Sequence, residues 1–211
     1  MSVTSVQLGR NLLLAALGSA DQKAIRELSQ IVDMQTPDRI CPADKTIRYV
    51  YFPLSGMISL VQAFKDGSTT EVGLIGREGF WGAATLLGVK SSPIEAMVQG
   101  VGQALRMPTT AFLPLVEKSP DMRTRLLRYA HFLHVQVTII AACNAQHRVR
   151  QRLARWLLEG KDRLEGEALT LKPRVSIVHA RRAPRRRNRR AEGIARRGCD
   201  QHKPWQGHDL R

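Results

Sequence analysis

Residues 57–75 read MISLVQAFKDGSTTEVGLI, and this stretch decides the fold. Residues 57–64 (MISLVQAF) and 69–75 (TTEVGLI) are runs suited to strands, and Lys65, Asp66, Gly67 and Ser68 lie between them. An Asp-Gly pair suits the left-handed backbone of a tight turn, so the two runs predict a β-hairpin. The same texture extends both ways. Upstream, residues 47–52 (IRYVYF) are β-branched and aromatic and stop at Pro53. Downstream, glycines at 73, 76, 79, 82 and 88 punctuate a turn-rich segment, and residues 96–107 (AMVQGVGQALRM) predict two more short strands. Short strands at this spacing predict a small barrel or jelly roll with their apolar residues as its core.

Helical patterns flank the strands. Residues 8–32 read as helix, with Leu8, Leu12, Leu13 and Leu17 at helical spacing. Ser19 is a candidate cap for a second helix carrying Ile25, Leu28 and Ile31 on one face. After Pro108, residues 109–118 predict a short helix. Ser119-Pro120 then opens a long one, with Ser at the cap and Pro in the first turn. It is expected to run to about Glu159, where Gly160 can end it. Leu126, Ala130, Leu133, Val137, Ile140 and Asn144 recur along it in alternating steps of four and three. So regular a seam suits a partner helix, and packing on the chain's own barrel is the other reading. The expectation is mixed: one face on the barrel, the seam on a second subunit, with Asn144 as a register-setting polar contact.

The predicted fold class is therefore α+β: a β jelly roll (double-stranded β-helix) over residues 1–118, a long helix over 119–160, and a linker and basic tail over 161–211. At 211 residues and 43% hydrophobic, the chain can bury a real core. No stretch reads as the roughly 18 apolar residues that cross a bilayer. The N-terminal apolar run passes directly into a charged helix rather than a cleavage site, so a cytoplasmic protein without a membrane partner is expected. Cys41, Cys143 and Cys199 match no metal or iron–sulfur spacing and read as free thiols.

The order of parts resembles the Crp/Fnr family of transcription regulators. The segments IRYVYFPLSGMISL, EVGLIGREGFWG, QALRMPTTAF and, above all, CNAQHRVRQRLARWLL carry the resemblance, which covers about residues 10–170. It implies a sensor barrel that binds a small effector, a homodimer formed through the long helix, and a C-terminal winged helix-turn-helix that reads DNA. Members that bind cyclic nucleotide place a Glu against the ribose and an Arg against the cyclic phosphate, since a buried phosphate needs a cation and several donors. In the matching segment, GFWGAATLLGVKSSPIEAM, Ala83 stands at the Glu position, and Ser92, Pro93 and Ile94 stand about where the Arg would be. Lys90 is its only cation. The effector pocket is therefore assigned to Gly79, Gly82, Ala83, Ser91 and Ser92, its effector is unidentified, and no cofactor is expected. The N-terminal region also lacks the cysteine cluster of the oxygen-sensing members.

Other chemistry is not signalled. His131, His134 and His147 share the long helix with Cys143 but show no closed ligand set, so no metal is assigned. No nucleophile–base arrangement, metalloprotease motif or phosphate loop stands out, so no catalytic residue is assigned and the chain is read as a non-enzyme.

Charge divides the chain unevenly. Of the net +15, residues 171–211 hold 13 basic and 3 acidic side chains. Where the family has its winged helix-turn-helix, this chain reads KPRVSIVHARRAPRRRNRRAEGIARRGCDQHKPWQGHDLR. That string lacks an apolar period and is disordered by composition. Taken one base out of register, its codons regain a pattern. Trp205 followed by Gln206 forces Gly, Asp200 and His202 each allow only Ile or Thr, and Gln206 allows only Lys or Arg. Residues 199–208 then fit V-I-S-I-S-R-G-K-V-T, a strand, a glycine turn and a second strand, as in a wing. From Arg174 the shifted codons allow EFLS-x-MLGVRRAG, like the start of a helix-turn-helix. A frameshift near residues 172–174 is therefore expected, with sequence-specific DNA binding lost. The alternatives are a stand-alone effector-binding and dimerisation module, or a tail that binds nucleic acid by charge alone. In the latter, Arg181, Arg182, Arg185, Arg186, Arg187, Arg189 and Arg190 would supply salt-sensitive, sequence-blind affinity.

Overall fold

A computed structural model describes residues 3–164. The chain divides into two units, Met1–Arg181 and Arg182–Arg211, and all the described residues lie in the first. The disorder expected of the tail, its frameshift and its arginines lie outside the described residues.

Seven strands form two antiparallel sheets. They are β1 (Gln30–Met34), β2 (Arg39–Cys41), β3 (Tyr49–Pro53), β4 (Met57–Ala63), β5 (Thr69–Ile75), β6 (Glu95–Gly100) and β7 (Gly102–Pro108). One sheet has the order β1-β7-β3 and the other β2-β6-β4-β5. The hairpin forms at the expected place. Gly67 takes a φ of +77°, and Asp66 Oδ1 accepts hydrogen bonds from the Ser68 amide at 2.9 Å and the Ser68 hydroxyl at 2.6 Å. Val50, Phe52, Ile58, Ile75, Ala96, Leu105 and Met107 fill the core, with at most trace exposure. Phe80 joins it to the helices: its ring lies 5.0 Å from Phe52, 5.7 Å from Phe112 and 5.4 Å from Tyr129, centroid to centroid.

The N-terminal helical reading needs correction. The segment breaks into α1 (Ser5–Gly9), α2 (Leu12–Ala15) and α3 (Ser19–Leu28). Ser19 is the first residue of α3, not its cap; Gly18 occupies the cap position and offers no side chain. Ile31 belongs to β1, where backbone pairing with Leu105 of β7 overrides the helical spacing. Asn11 divides the short helices: its Oδ1 caps Leu14, and its Nδ2 donates to the carbonyls of Pro53 and Gly79.

After α4 (Thr109–Lys118), Ser119 caps α5 (Pro120–Gln146) as expected, accepting from the Met122 amide. The single helix expected to reach Glu159 is in fact two. Residue His147 is extended (φ −93°, ψ 147°), and α6 runs Val149–Leu164, so it passes through Gly160 and beyond the expected boundary at 160. No Pro or Gly marks the break. It is held by the Arg148 amide donating to Gln151 Oε1 at 2.9 Å, and by Trp156 packing with Met57 of β4 and Leu74 of β5. Helix α5 is long and apolar enough to pass as a membrane span by length and composition, which the sequence reading did not anticipate. Its buried residues, Met122, Leu126, Tyr129, Gln136 and Ile140, are those of a helix lying on a domain.

Candidate functional site

None of the five residues assigned to the effector pocket lines either of the two cavities described for this chain. Gly79 is buried against α5, and a Cβ there would stand 2.0 Å from the Tyr129 ring. Gly82 has a φ of +109° and rests on Val50, with room for no side chain. It opens a 3-10 turn, Ala83–Leu87, in which Ala83 is buried and the Thr85 hydroxyl donates back to the Gly82 carbonyl at 2.7 Å. These three residues are packing sites where the barrel meets the helices. Ser91 and Ser92 lie elsewhere, beside the β2–β3 connection. Ser91 bridges Thr46, and the Ser92 carbonyl accepts from the Asp44 amide at 2.7 Å. The Ser92 hydroxyl is engaged by the Ile94 amide.

A groove of about 410 Å³ opens next to that connection, and none of the five lines it. Cys41, Lys45, Thr46, Arg48, Tyr49 and Tyr51 form much of its wall. Alternation along β3 explains the aromatic side: Val50 and Phe52 point into the core, and Tyr49 and Tyr51 point outward. Across the sheet Arg106 pairs with Tyr51 and lies 4.7 Å over the Tyr49 ring. Burial pushes the Tyr51 hydroxyl up, and the Arg106 hydrogen bond pulls the other way. Burial likewise raises the Cys41 thiol, which points at the Pro42 and Lys45 carbonyls rather than into solvent. With Lys45 and Arg48 exposed at its mouth, the groove suits anions and aromatic rings. The period-two pattern in IRYVYF carried this signal, but the sequence reading used it only to predict a strand.

Tyr129 and Val50 occupy the space beside Gly79 and Gly82, and Ala83 offers no acceptor for a ribose hydroxyl. Among the described residues no group of three or more His, Cys, Asp or Glu could hold a metal ion.

The residues expected to form a dimer seam lie partly against the chain's own barrel. Leu126 and Ile140 are buried within the single chain, and Ala130, Leu133, Val137 and Asn144 are half-buried. Leu126 belongs to the barrel's own core cluster, and Ala130 and Leu133 pack against it. A step of four and three marks any packed helix face, and here the nearest packing partner is the barrel. The exposed apolar stripe lies on the opposite side of the helix: Phe132 is 48% exposed, Val135 39% and Ile139 51%.

Residues 32–119 match the family described as cyclic nucleotide-binding domain. The search of curated proteins by sequence finds no match. Among solved structures the chain is similar to FixK2 from Bradyrhizobium japonicum, at 15% identity over 72% of this chain and 76% of that one, with a TM-score of 0.62. It is also similar to CLP from Xanthomonas campestris, described as a c-di-GMP-responsive global regulator, at 15% identity over 72% and 75%, with a TM-score of 0.58. A third likeness is to the regulatory subunit of a cAMP-independent protein kinase A from Trypanosoma brucei, at 15% identity over 64% and 50%, with a TM-score of 0.52. At such identities the likeness is one of fold: a cyclic nucleotide-binding-type β-sandwich followed by a long helix.

Proposed function

We propose that this chain is a cytoplasmic, non-enzymatic Crp/Fnr-type regulator: an effector-binding sensor and dimerisation module whose specific DNA reader has been lost to a frameshift. The observation that carries this reading is the sequence order of a cyclic nucleotide-binding domain at residues 32–119 running into the long helix α5. A barrel of this kind can report on a ligand only through an element that leaves it, and α5 is that element. The exposed stripe of Phe132, Val135 and Ile139, with 3-4 spacing, suits a second copy of the same helix. The effector is not cyclic AMP, because the loop lacks both the carboxylate and the arginine that would hold it.

The tail decides the output. Read as it stands, its arginines would give salt-sensitive, sequence-blind attraction to nucleic acid or none. Read one base out of register it resembles a winged helix-turn-helix. Sequencing the coding DNA tests this. Removing one base near codons 172–174 should open a continuous frame through a helix-turn-helix and a wing. An early stop in that frame, or codons that spell something unrelated, would reject the frameshift and leave a stand-alone sensor module with a basic tail. For the sensor, calorimetry with cyclic AMP should show no sub-micromolar binding.

A further inference from the structure

Helix α6 covers a buried polar site that the sensor reading does not use. On β5 a bulge opposite Leu60 and Val61 brings Glu71 to the same outer face as Leu74, which pairs with Ser59. The Ser59 hydroxyl donates to Glu71 Oε2 at 2.6 Å, deep in the protein, and the Trp156 side chain of α6 lies beside the same carboxyl. Around it α6 contributes an Arg155–Glu159 pair at 2.7 Å. From α5 the neighbouring polar group is neutral: Gln136, whose Oε1 accepts from the Leu74 amide at 3.0 Å.

The far end of α6 is seated by glycines. A Cβ at Gly76 would meet Arg163 Cγ at 2.7 Å, and one at Gly100 would meet Leu164 Cδ2 at 2.9 Å. Bare backbone at Gly76 lets Arg163 reach Glu78 at 2.8 Å, with the arginine side chain only 10% exposed. A small cleft of about 220 Å³ flanks this pair, lined by Leu12, Arg77, Glu78, Asp162 and Arg163. The helix is thus held by one tryptophan over a carboxyl, a shielded ion pair, two glycine seats, and an apolar strip in which Leu153, Leu157 and Leu164 pack with Trp156 around Met57 and Leu74. Its start at Val149 follows an extended residue, His147, that separates it from α5.

We propose that α6 is a proton-linked latch, closed on the β4–β5 face while the Glu71 carboxyl beneath it is protonated and released when that proton is lost. Burial pushes this carboxyl up to about 7; Glu159 adds to the rise, while the Ser59 hydrogen bond, the Trp156 side chain and Arg155 oppose it. With α6 lifted, the carboxyl meets water and returns towards its ordinary 4.5. A group raised in the docked state strengthens docking fully below its ordinary pKa. That strengthening is lost as pH rises through about 7, and the loss levels off above it. Neutral and alkaline conditions therefore free α6 from the β4–β5 face, and acid closes it. Every residue of the device lies between Met57 and Leu164.

The test is fluorine NMR on the full chain labelled with 5-fluorotryptophan, with the Trp156 resonance assigned by its loss in Trp156→Phe. Between pH 5.5 and pH 8 the closed-to-open ratio at Trp156 should fall roughly twenty-fold, and the core residue Trp81 should stay buried. Glu71→Gln, which keeps the shape and removes the charge, should leave Trp156 closed at both values. Arg163→Ala, which keeps Glu71, should open the latch further at both values with the same response to pH. A Trp156 signal equally buried at both pH values overturns the proposal. So does a pH response that survives in Glu71→Gln, or an Arg163→Ala protein as closed as the wild type.

Discussion

Helices α5 and α6 both lie on the barrel, and they are held by different chemistry. The grip of α5 is apolar and uncharged: Leu126 and Ile140 are buried, Tyr129 stacks near Phe80, and Gln136 binds a strand amide. The grip of α6 adds ionic and titratable groups to a smaller apolar contact: Glu71 lies beneath Trp156, Arg163 binds Glu78, and Leu153, Leu157 and Leu164 pack around Met57 and Leu74. Apolar burial is nearly indifferent to pH and salt, whereas buried charge is conditional on its partners and its proton. One helix is thus a permanent part of the domain, and the other is poised to move.

Breaking the α5 grip should have the largest effect. Gly79→Val would drive a side chain into the Tyr129 ring, which has no space to retreat within a close-packed aromatic column. A loss of at least about 3 kcal/mol is expected in urea unfolding, with both helices destabilised together.

A neighbouring pair of substitutions separates the two sides of α5. Ile140→Asp places a charge in the barrel interface and should cost about 3 kcal/mol in the same measurement. Ile139→Asp, at the adjacent half-exposed position, should leave stability within about 0.5 kcal/mol and yield a monomer by light scattering. If the Ile139→Asp protein remains dimeric, the exposed stripe is not the subunit contact.

The smallest effect belongs to α6. Gly76→Ala crowds the seat of Arg163, whose flexible stem can shift, so it should cost only about 1 kcal/mol overall. Hydrogen exchange should quicken across residues 149–164 and stay unchanged in α5. Equal quickening in both helices would mean that they form one cooperative unit and would erase the contrast drawn between them.

Much of the barrel was legible because local chemistry and tertiary structure agree there. The 57–64 and 69–75 runs, the Asp66-Gly67 turn, the helix at 109–118 and the Ser119 cap all form where the sequence reading placed them. Strand β1 was missed because Ile31 fits a helical stripe as well as a strand, and only its pairing with β7 decides between them. The break at His147 was missed because it carries no Pro or Gly; the packing of Trp156 against the sheet sets it. Glu71 sat in a recognised strand without notice, since one carboxyl in a period-two pattern reads as a solvent-facing residue. The bulge and α6 bury it.

By itself the sequence determined strands β3 to β7, the Asp66-Gly67 turn, the starts of α4 and α5 and the uneven charge, because each of these depends on residues within a few positions of one another. The tertiary structure alone decided which neighbour each face meets. The heptad of α5 states that Leu126, Leu133 and Ile140 want apolar company, but periodicity is blind to whether a barrel or a second helix supplies it. Likewise glycines 76 and 79 read as turn punctuation until Arg163 and Tyr129 are seen against them. Contact between residues far apart in the chain is a property of the folded whole, and both the groove and the latch are built from such contacts.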